Sequence, residues 1–169
     1  MLPPRDVVLS LLDYSQETGE FSWKSRPGNA RFNAQHAGKR AGHVAKDDGY
    51  VIIGLGGKLH KAHRLAWLIA TGEAPTVDVD HIDGNRTNNA IANLRLATRS
   101  QNLANSFRPE KSTSGFKGVS WRNRSKPWVA HIKHQGKSIF IGSFASAEEA
   151  HAAYVQKAAS LFGAFHRAA

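Results

Sequence analysis

The segment 77–102 combines short apolar runs with an unusual density of Asp, Asn and His residues. Residues 77–80 are β-prone, and Asp83-Gly84-Asn85 has the composition of a tight turn. Residues 94–97 form a second short β-prone run. Thr98 and Gln101 then have the spacing of a capping box, which predicts a helix over about 99–106. The order predicted for this segment is strand, loop, strand and helix.

The polar residues of this segment suit hydrolytic chemistry. Asp80 and His81 are adjacent at a predicted strand end, so their side chains leave on different faces. Asn102 falls in the first turns of the predicted helix and is placed to face the strand pair. A carboxylate and an amide oxygen form the sparse, hard oxygen site that Mg²⁺ or Mn²⁺ uses. A neutral imidazole beside such a site can accept a proton from a water molecule.

At these residues the chain resembles the HNH nuclease motif, in the form found in phage and intron-encoded homing endonucleases. The resemblance covers about residues 60–106 and rests on Asp80-His81-Ile82-Asp83-Gly84-Asn85, Asn93-Leu94-Arg95 and Gln101-Asn102. His81 matches the first motif position, Asn93 lies 12 residues further on, and Asn102 lies 9 residues beyond that. Asn102 stands where many relatives have the final His.

The resemblance implies a role for each of these four residues. Asp80 and Asn102 are expected to hold one divalent cation, with His81 as the general base. Asn93 is expected to pin the connecting loop and so orient His81. No structural zinc is expected, because the paired Cys-X-X-Cys motif of some relatives is absent from this cysteine-free chain.

Other polar residues of the region have two interpretations. Asp, Asn and Gly side chains in loops commonly cap their own backbone, and that interpretation is favoured for five of them: Asp83, Gly84, Asn85, Asn88 and Asn89. His63, near a predicted helix start, is either a structural group or else a catalytic residue or phosphate contact. Arg95 and Arg99 flank the motif and either hold phosphate oxygens or are simply solvated.

The chain is strongly basic, with a formal charge of +10 at neutral pH. The surplus is uneven: net +3 in residues 1–75, zero in 76–107 and +7 in 108–169. A surplus of this size predicts a polyanionic partner. No stretch approaches the ~20 apolar residues of a membrane span, so a membrane partner is not expected. The absence of cysteine excludes disulfides and suits a cytoplasmic location, and no secretory signal is recognised.

Residues 114–163 resemble the plant ethylene-response-factor, or APETALA-type, DNA-binding domain. The resemblance rests on Gly118-Val119, Trp128, Ile132, Gly142, Phe144 and the helix start Ala147-Glu148-Glu149-Ala150. It implies a three-stranded sheet in the DNA major groove with a helix packed behind it. Basic residues recur along the three predicted strands and are expected to contact DNA: Lys117, Arg122, Arg124, Lys126, Lys133 and Lys137.

These observations predict an α+β fold in which a ββα-metal nuclease core is flanked by two modules. Residues 1–61 are expected to form a helix at 4–13 and a small antiparallel sheet, with a possible DNA contact. Residues 62–107 form the core, and 108–113 a linker. Residues 114–169 form the three-stranded sheet, with strands at about 116–122, 127–134 and 137–142, plus a helix. Ser146 and Glu149 have the spacing of a second capping box at the start of that helix.

Gly56-Gly57 predicts a hairpin, and residues 25–49 show no clear pattern. A helix is expected over about 62–70, with Leu65, Leu68 and Ile69 on one face and Gly72 just past its end.

The predicted function is that of a metal-dependent, homing-type DNA endonuclease that nicks one strand of double-stranded DNA as a monomer. One Mg²⁺ or Mn²⁺ is the expected cofactor, and the expected setting is the cytoplasm of a bacterial host of a phage. The alternative is a sequence-preferring DNA-binding protein with an inactive nuclease core. RNA binding is disfavoured, because the RNA major groove is too narrow for a sheet to read.

Overall fold

The computed structural model describes residues 1–106, 114–123 and 125–166. The chain divides into two compact units, Met1–Leu96 and Ala97–Ala169, each a mixture of helices and small sheets. The mixed α+β class predicted from the sequence is therefore confirmed. The predicted linker 108–113 and the predicted DNA contact Arg124 lie outside the described residues. Within the residues described, no helix is long and apolar enough to cross a membrane.

The first unit opens with a helix and a hairpin. Helix α1 spans Arg5–Leu11, and strands β1 (Leu12–Tyr14) and β2 (Phe21–Trp23) pair antiparallel. The helix predicted over 4–13 is therefore too long at its C-terminal end. The chain leaves the helix at Leu12, whose side chain is fully buried and which pairs with Trp23.

A short helix and a three-stranded sheet follow. Helix α2 spans Ala30–His36, and strands β3 (His43–Val44), β4 (Val51–Leu55) and β5 (Lys58–Lys61) form the antiparallel order β3-β4-β5. The hairpin predicted at Gly56-Gly57 is confirmed: both residues have positive φ, which glycine adopts without steric cost.

Helix α3 spans Ala62–Thr71 and supplies a larger share of the buried apolar core of the first unit than any other element. It ends at Gly72, which caps the helix with φ +85° and donates its N–H to Leu68 O, as the sequence predicts. In the core, Leu65 and Ala66 of this helix share one cluster with apolar side chains of α1, β1, β2 and β4: Val8, Leu12, Phe21 and Ile53.

Strands β6 (Asp78–His81) and β7 (Leu94–Ala97) form a two-stranded sheet at the end of the first unit. Val79 and Leu94 anchor the two strands in the same apolar core. Both strands were predicted from the sequence. Burial of Val79 and Leu94 fixes the direction in which the neighbouring side chains of each strand point, and so positions the polar side chains described below.

The second unit begins with helix α4 (Arg99–Asn105), and its predicted capping box is confirmed. Thr98 accepts a hydrogen bond from Gln101 N, and the Gln101 side chain accepts one from Thr98 N. Strands β8 (Val119–Trp121), β9 (Trp128–His134) and β10 (Lys137–Phe144) form an antiparallel sheet with β9 in the centre. Helix α5 (Ala147–Phe162) packs on this sheet through Ala150, Tyr154 and Ala158.

Two details of the second unit differ from the sequence prediction. Strand β8 starts at Val119 rather than near 116, because Gly118 has φ +72° and lies against the Tyr154 ring. At the start of α5, Ser146 Oγ accepts from Glu149 N as predicted, but the Glu149 carboxylate accepts from Ala145 N. Only the first of the two capping-box hydrogen bonds is therefore seen there, because Glu149 bonds to Ala145 N instead of Ser146 N.

Candidate active site

Asp80 and His81 lie side by side at the end of β6, and both are almost fully buried. Their exposed fractions are 5% and 4%, although both side chains are polar. A strand directs consecutive side chains to opposite faces, so each of the two has its own surroundings. Buried ionisable side chains are rare without partners, which marks this strand end as a candidate site.

The Asp80 carboxylate is paired with a guanidinium from the neighbouring strand. Arg95 Nε donates to Asp80 Oδ2 at 2.9 Å, and the Arg95 side chain is 16% exposed. The pair is well shielded from solvent, so each charge offsets the desolvation of the other. Arg95 was predicted to contact phosphate or to be solvated, and the second interpretation is wrong.

Asn93 stabilises the loop between β6 and β7 through several hydrogen bonds. Its side-chain oxygen accepts from Asp83 N at 3.0 Å, and its amide donates to Asp83 Oδ1 and to Asn88 O, each at 2.9 Å. Its backbone carbonyl accepts from Ile82 N. The residue after His81 is therefore held directly by Asn93.

The Asp and Asn residues of this loop also make the local contacts that the sequence predicts. Asp83 Oδ1 accepts from Asn85 N at 2.7 Å, and Asn88 donates its side-chain amide to Asp83 Oδ2 at 2.8 Å. Burial raises the pKa of Asp83, but the hydrogen bonds from Asn88, Asn93 and Asn85 outweigh this and lower it overall. The loop is thus a network of side chains that cap their own backbone.

His81 lies among polar and aromatic neighbours in the interior. Its Nε2 is 3.2 Å from Asn89 Oδ1, and its ring centroid is 5.0 Å from that of His63 and 5.8 Å from that of Tyr50. Desolvation lowers the pKa of His81, while Asn89, Asp83 and Asp80 act in the opposite direction. The imidazole is therefore neutral near pH 7, the form that can accept a proton.

His63 is a buried neighbour of His81. It lies in the first turn of α3, is 5% exposed, and its ring centroid is 4.9 Å from that of Tyr50. Its Nδ1 is buried without a hydrogen-bond partner. Burial, followed by the neighbouring His81, lowers the pKa of His63 to about 3. Of its two predicted roles, the structural one agrees with this burial.

Tyr50 links the two histidines to a group of charged side chains. Lys61 Nζ lies 3.8 Å from the Tyr50 ring centroid and pairs with Asp48 Oδ2 at 2.8 Å. Arg86 lies 5.0 Å from the same centroid and donates to Asp48 O at 2.7 Å. Sequence reasoning did not single out Tyr50 or Arg86, because neither belongs to a motif.

Two predicted site residues, Arg99 and Asn102, lie on α4 in the second unit. Arg99 is exposed and Asn102 is half-buried. The α4 helix carries Ala104 into the apolar cluster of the second unit, together with Val119, Ile132 and Phe162. The roles of Arg99 and Asn102 continue to rest on the spacing of the motif.

The predicted DNA contacts of the second unit fall into two groups. Four are exposed basic side chains: Arg122, Lys126, Lys133 and Lys137. Lys117 is half-buried, and its ammonium donates to Ala104 O and Ser106 O at the end of α4, at 2.5 and 2.6 Å. Lys117 therefore has an intramolecular role that its place in the basic series did not predict.

The face of the sheet opposite α5 carries mixed polar and aromatic side chains. Lys133 pairs with Ser138 and His131 with Phe140, so all four project from the same face. The His131 and Phe140 rings are 5.4 Å apart, and Phe140 is 58% exposed. Exposed aromatic and basic groups on one sheet face are features of a nucleic-acid-binding surface.

In the described part of the chain, no three His, Asp or Glu side chains are gathered in a way that could hold a metal ion. A site built from one carboxylate, one amide and water molecules does not require such a cluster. Asp80 is an oxygen donor that already attracts a cationic group, the Arg95 guanidinium. The chemistry of this residue therefore fits a divalent cation.

Comparison with known proteins gives a consistent result. A family model described as HNH endonuclease matches residues 60–104. Protein 3.8 of Escherichia phage T7 is 40% identical over 81 residues, which cover 47% of this chain and 67% of that protein. No solved structure matches the chain.

Two further relatives carry nuclease names. The uncharacterized HNH endonuclease L560 of Acanthamoeba polyphaga mimivirus is 36% identical over 110 residues, which cover 64% of this chain and 56% of the relative. The DNA endonuclease I-HmuI of Bacillus phage SP01 is 39% identical over 110 residues, with 62% and 58% covered. The present chain thus spans little more than half the length of these two relatives.

The chain belongs to the HNH endonuclease family. The prediction of an HNH endonuclease from Asp80, His81 and Asn93 is confirmed at this level.

Proposed function

We propose that this protein hydrolyses phosphodiester bonds of double-stranded DNA with the help of one divalent cation, Mg²⁺ or Mn²⁺, and nicks one strand. The observation that carries the proposal is the buried pair of consecutive residues at the end of β6: a carboxylate at Asp80 and a neutral imidazole at His81. The order β6, β7 and α4 along the chain supports the ββα-metal arrangement that the resemblance implies.

His81 is the general base of the proposed reaction. Its neutral imidazole removes a proton from a water molecule, whose oxygen attacks the phosphorus as the bond to the 3′ oxygen breaks. The 3′ oxygen then takes up a proton from solvent. Asn93 supports this step by holding Ile82 and Asp83, the two residues that follow the base. Asn93 is thus a positioning residue rather than a group that reacts.

Asp80 and, from the motif spacing, Asn102 would hold the divalent cation. A bound cation would stabilise the negative charge that develops on the phosphate and on the departing oxygen. Asp80 is suited to this role because its carboxylate is buried and oriented by Arg95 at 2.9 Å. A guanidinium has several N–H donors, so Arg95 can pair with Asp80 through Nε and also contact a phosphate bound beside that carboxylate.

The second unit is proposed to be a DNA-binding domain of the APETALA type, which its sequence resembles. Its three-stranded antiparallel sheet with α5 on one face has the architecture that the resemblance implies. The exposed Arg122, Lys126 and Lys133 supply positive charge for phosphate contacts. A monomer with one site per chain accounts for single-strand cleavage, and the phage relatives support action in a bacterial host cell.

A plasmid-nicking assay on the full chain tests the proposal. With Mg²⁺ or Mn²⁺, the wild type should convert supercoiled DNA to the open-circular form, and EDTA should stop the conversion. His81→Ala should reduce the rate by at least ~10²-fold, the usual scale of a lost general base. His43→Ala, at an exposed histidine on β3, is the matched control. Wild-type DNA binding without any nicking would instead favour a DNA-binding protein with an inactive core.

A further inference from the structure

Asn89 is nearly inaccessible, although it lies in a loop rich in turn residues. It is 2% exposed, whereas Asp83, Asn85 and Thr87 of the same loop are exposed. A turn residue that only caps its own backbone has no need of burial. The side-chain oxygen of Asn89 lies 3.2 Å from His81 Nε2, which gives this residue a partner outside the turn.

The hydrogen bonds of Asn89 fix which end of its amide faces the histidine. Its Nδ2 donates to Thr87 O at 3.1 Å. A carbonyl oxygen can only accept, so the NH₂ end of the amide must point towards Thr87. The oxygen therefore faces His81, and because an amide oxygen also only accepts, Nε2 of the neutral imidazole must carry the proton.

The backbone of Asn89 is held by the β1–β2 hairpin, which lies near the start of the chain. Tyr14 Oη donates to Asn89 O at 2.7 Å, and Gln16 O accepts from Ile91 N at 3.0 Å. Gly19, with φ +75°, lies so close that a Cβ there would be 2.3 Å from the Asn89 carbonyl carbon. The hairpin is therefore in direct contact with the segment that places the Asn89 side chain beside His81.

We infer that Asn89 is a positioning residue that fixes the Nε2-protonated tautomer of His81, so that Nδ1 is the nitrogen that accepts the proton from water, and that the β1–β2 hairpin supports this function. The inference rests on the proposed role of His81 as general base. A histidine in the wrong tautomer presents an N–H to the water and cannot act as its base. A hydrogen-bond partner on the second ring nitrogen is the usual means of setting this choice.

The first test measures the tautomer directly, without metal or DNA. In the ¹⁵N-labelled full chain near pH 7, the His81 ring should show a protonated Nε2 with a slowly exchanging hydrogen and an unprotonated Nδ1. A His81 ring protonated at Nδ1 would overturn the inference. Because this measurement needs no activity, it stays informative if the proposed nuclease function fails.

The second test compares variants at Asn89. Asn89→Leu has a similar volume but no acceptor, so the slowly exchanging ring hydrogen should be lost and kcat for nicking should fall by about 10- to 100-fold with KM unchanged. Asn89→Asp retains an acceptor oxygen and should keep the ring hydrogen and recover much of kcat. Asn85→Ala, an exposed turn residue of the same loop, is the matched control.

The outcomes separate a positioning role from a purely structural one. Loss of kcat in Asn89→Leu together with recovery in Asn89→Asp supports the inference, whereas unchanged kcat in Asn89→Leu overturns it. If Asn89→Leu does not fold, the tautomer of the wild type and the behaviour of Asn89→Asp decide. If His81→Ala nicks DNA normally while the wild-type tautomer is as expected, the general-base assignment fails and the tautomer assignment stands.

Discussion

Arg95 Nε lies 2.9 Å from Asp80 Oδ2, so the proposed metal ligand is already neutralised by an arginine of the adjacent strand. The arginine and the cation would share one carboxylate. This relationship makes the Asp80 site dependent on positive charge for its stability as well as for its chemistry.

Replacing Arg95 by Gln should destabilise the fold, because it removes the guanidinium that pairs with the buried Asp80 carboxylate. Breaking a buried ion pair from one side costs about 3–5 kcal/mol. A divalent cation would replace the missing charge, so added Mn²⁺ should raise the Tm of Arg95→Gln more than that of the wild type. Arg31→Gln, at an exposed position on α2, is the control in this thermal-unfolding series. Equal Mn²⁺ shifts in the two proteins would count against a cation at Asp80.

Acid should destabilise the first unit through His63. Burial lowers the pKa of His63 to about 3, so the folded state disfavours its protonated form. The unfolded chain binds a proton near pH 6.5, and stability therefore falls as pH decreases from about 6.5 towards 3, by up to ~1.4 kcal/mol per unit.

His63→Phe should remove this contribution, because phenylalanine is not titratable. Urea unfolding at pH 7 and pH 5 should show a smaller loss of stability in the variant than in the wild type. His43→Phe, at an exposed position, should keep the wild-type difference. A variant that loses as much stability between the two pH values as the wild type would rule out His63 as the source.

The exposed lysines of the second unit should set the salt dependence of DNA binding. Lys133→Gln and Lys137→Gln should each make the slope of log affinity against log salt shallower by about 1, because each removes about one phosphate contact. Lys157→Gln, exposed on α5, is the control. Binding titrations at several salt concentrations give the slope. Equal changes for all three variants would show that only net charge matters.

Lys117 should behave differently from the other lysines. Its ammonium donates to Ala104 O and Ser106 O, which are carbonyls at the end of α4. Lys117→Met should therefore lower the stability of the second unit by about 1.5–3 kcal/mol, the range for hydrogen bonds to a charged group. The salt slope of DNA binding should stay near that of the wild type. A shallower slope at unchanged stability would return Lys117 to the DNA-contact group.

Elements with a strong local signal were predictable from the sequence. The capping box Thr98–Gln101 and the apolar stripe of α3 each bring together residues that are close along the chain. Helix α2 was missed because none of its residues is buried, so it has no apolar periodicity to detect. Its start depends on the Asn29 side chain, which accepts from Phe32 N.

The candidate site was predictable only in part. Asp80, His81 and Asn93 stand at motif positions, so their residue types and spacing were enough to propose them as site residues. Asn89 was interpreted as a turn residue, because its contact with His81 depends on the path of the loop and on Tyr14, 75 residues away. The pairing of Arg95 with Asp80 likewise requires β6 and β7 to be adjacent, which no local pattern encodes.

The contact between Tyr14 and Asn89 has a consequence for how this nuclease motif can move between proteins. The matched segment 60–104 contains Asp80, His81 and Asn93, but it contains neither the Tyr14 hydroxyl nor the close approach of Gly19. A recombination event that transfers only that segment leaves behind the groups that hold the Asn89 backbone. If Asn89 positions His81 as inferred above, the recipient chain must supply its own hydrogen-bond donor to the Asn89 carbonyl for the transferred motif to be active.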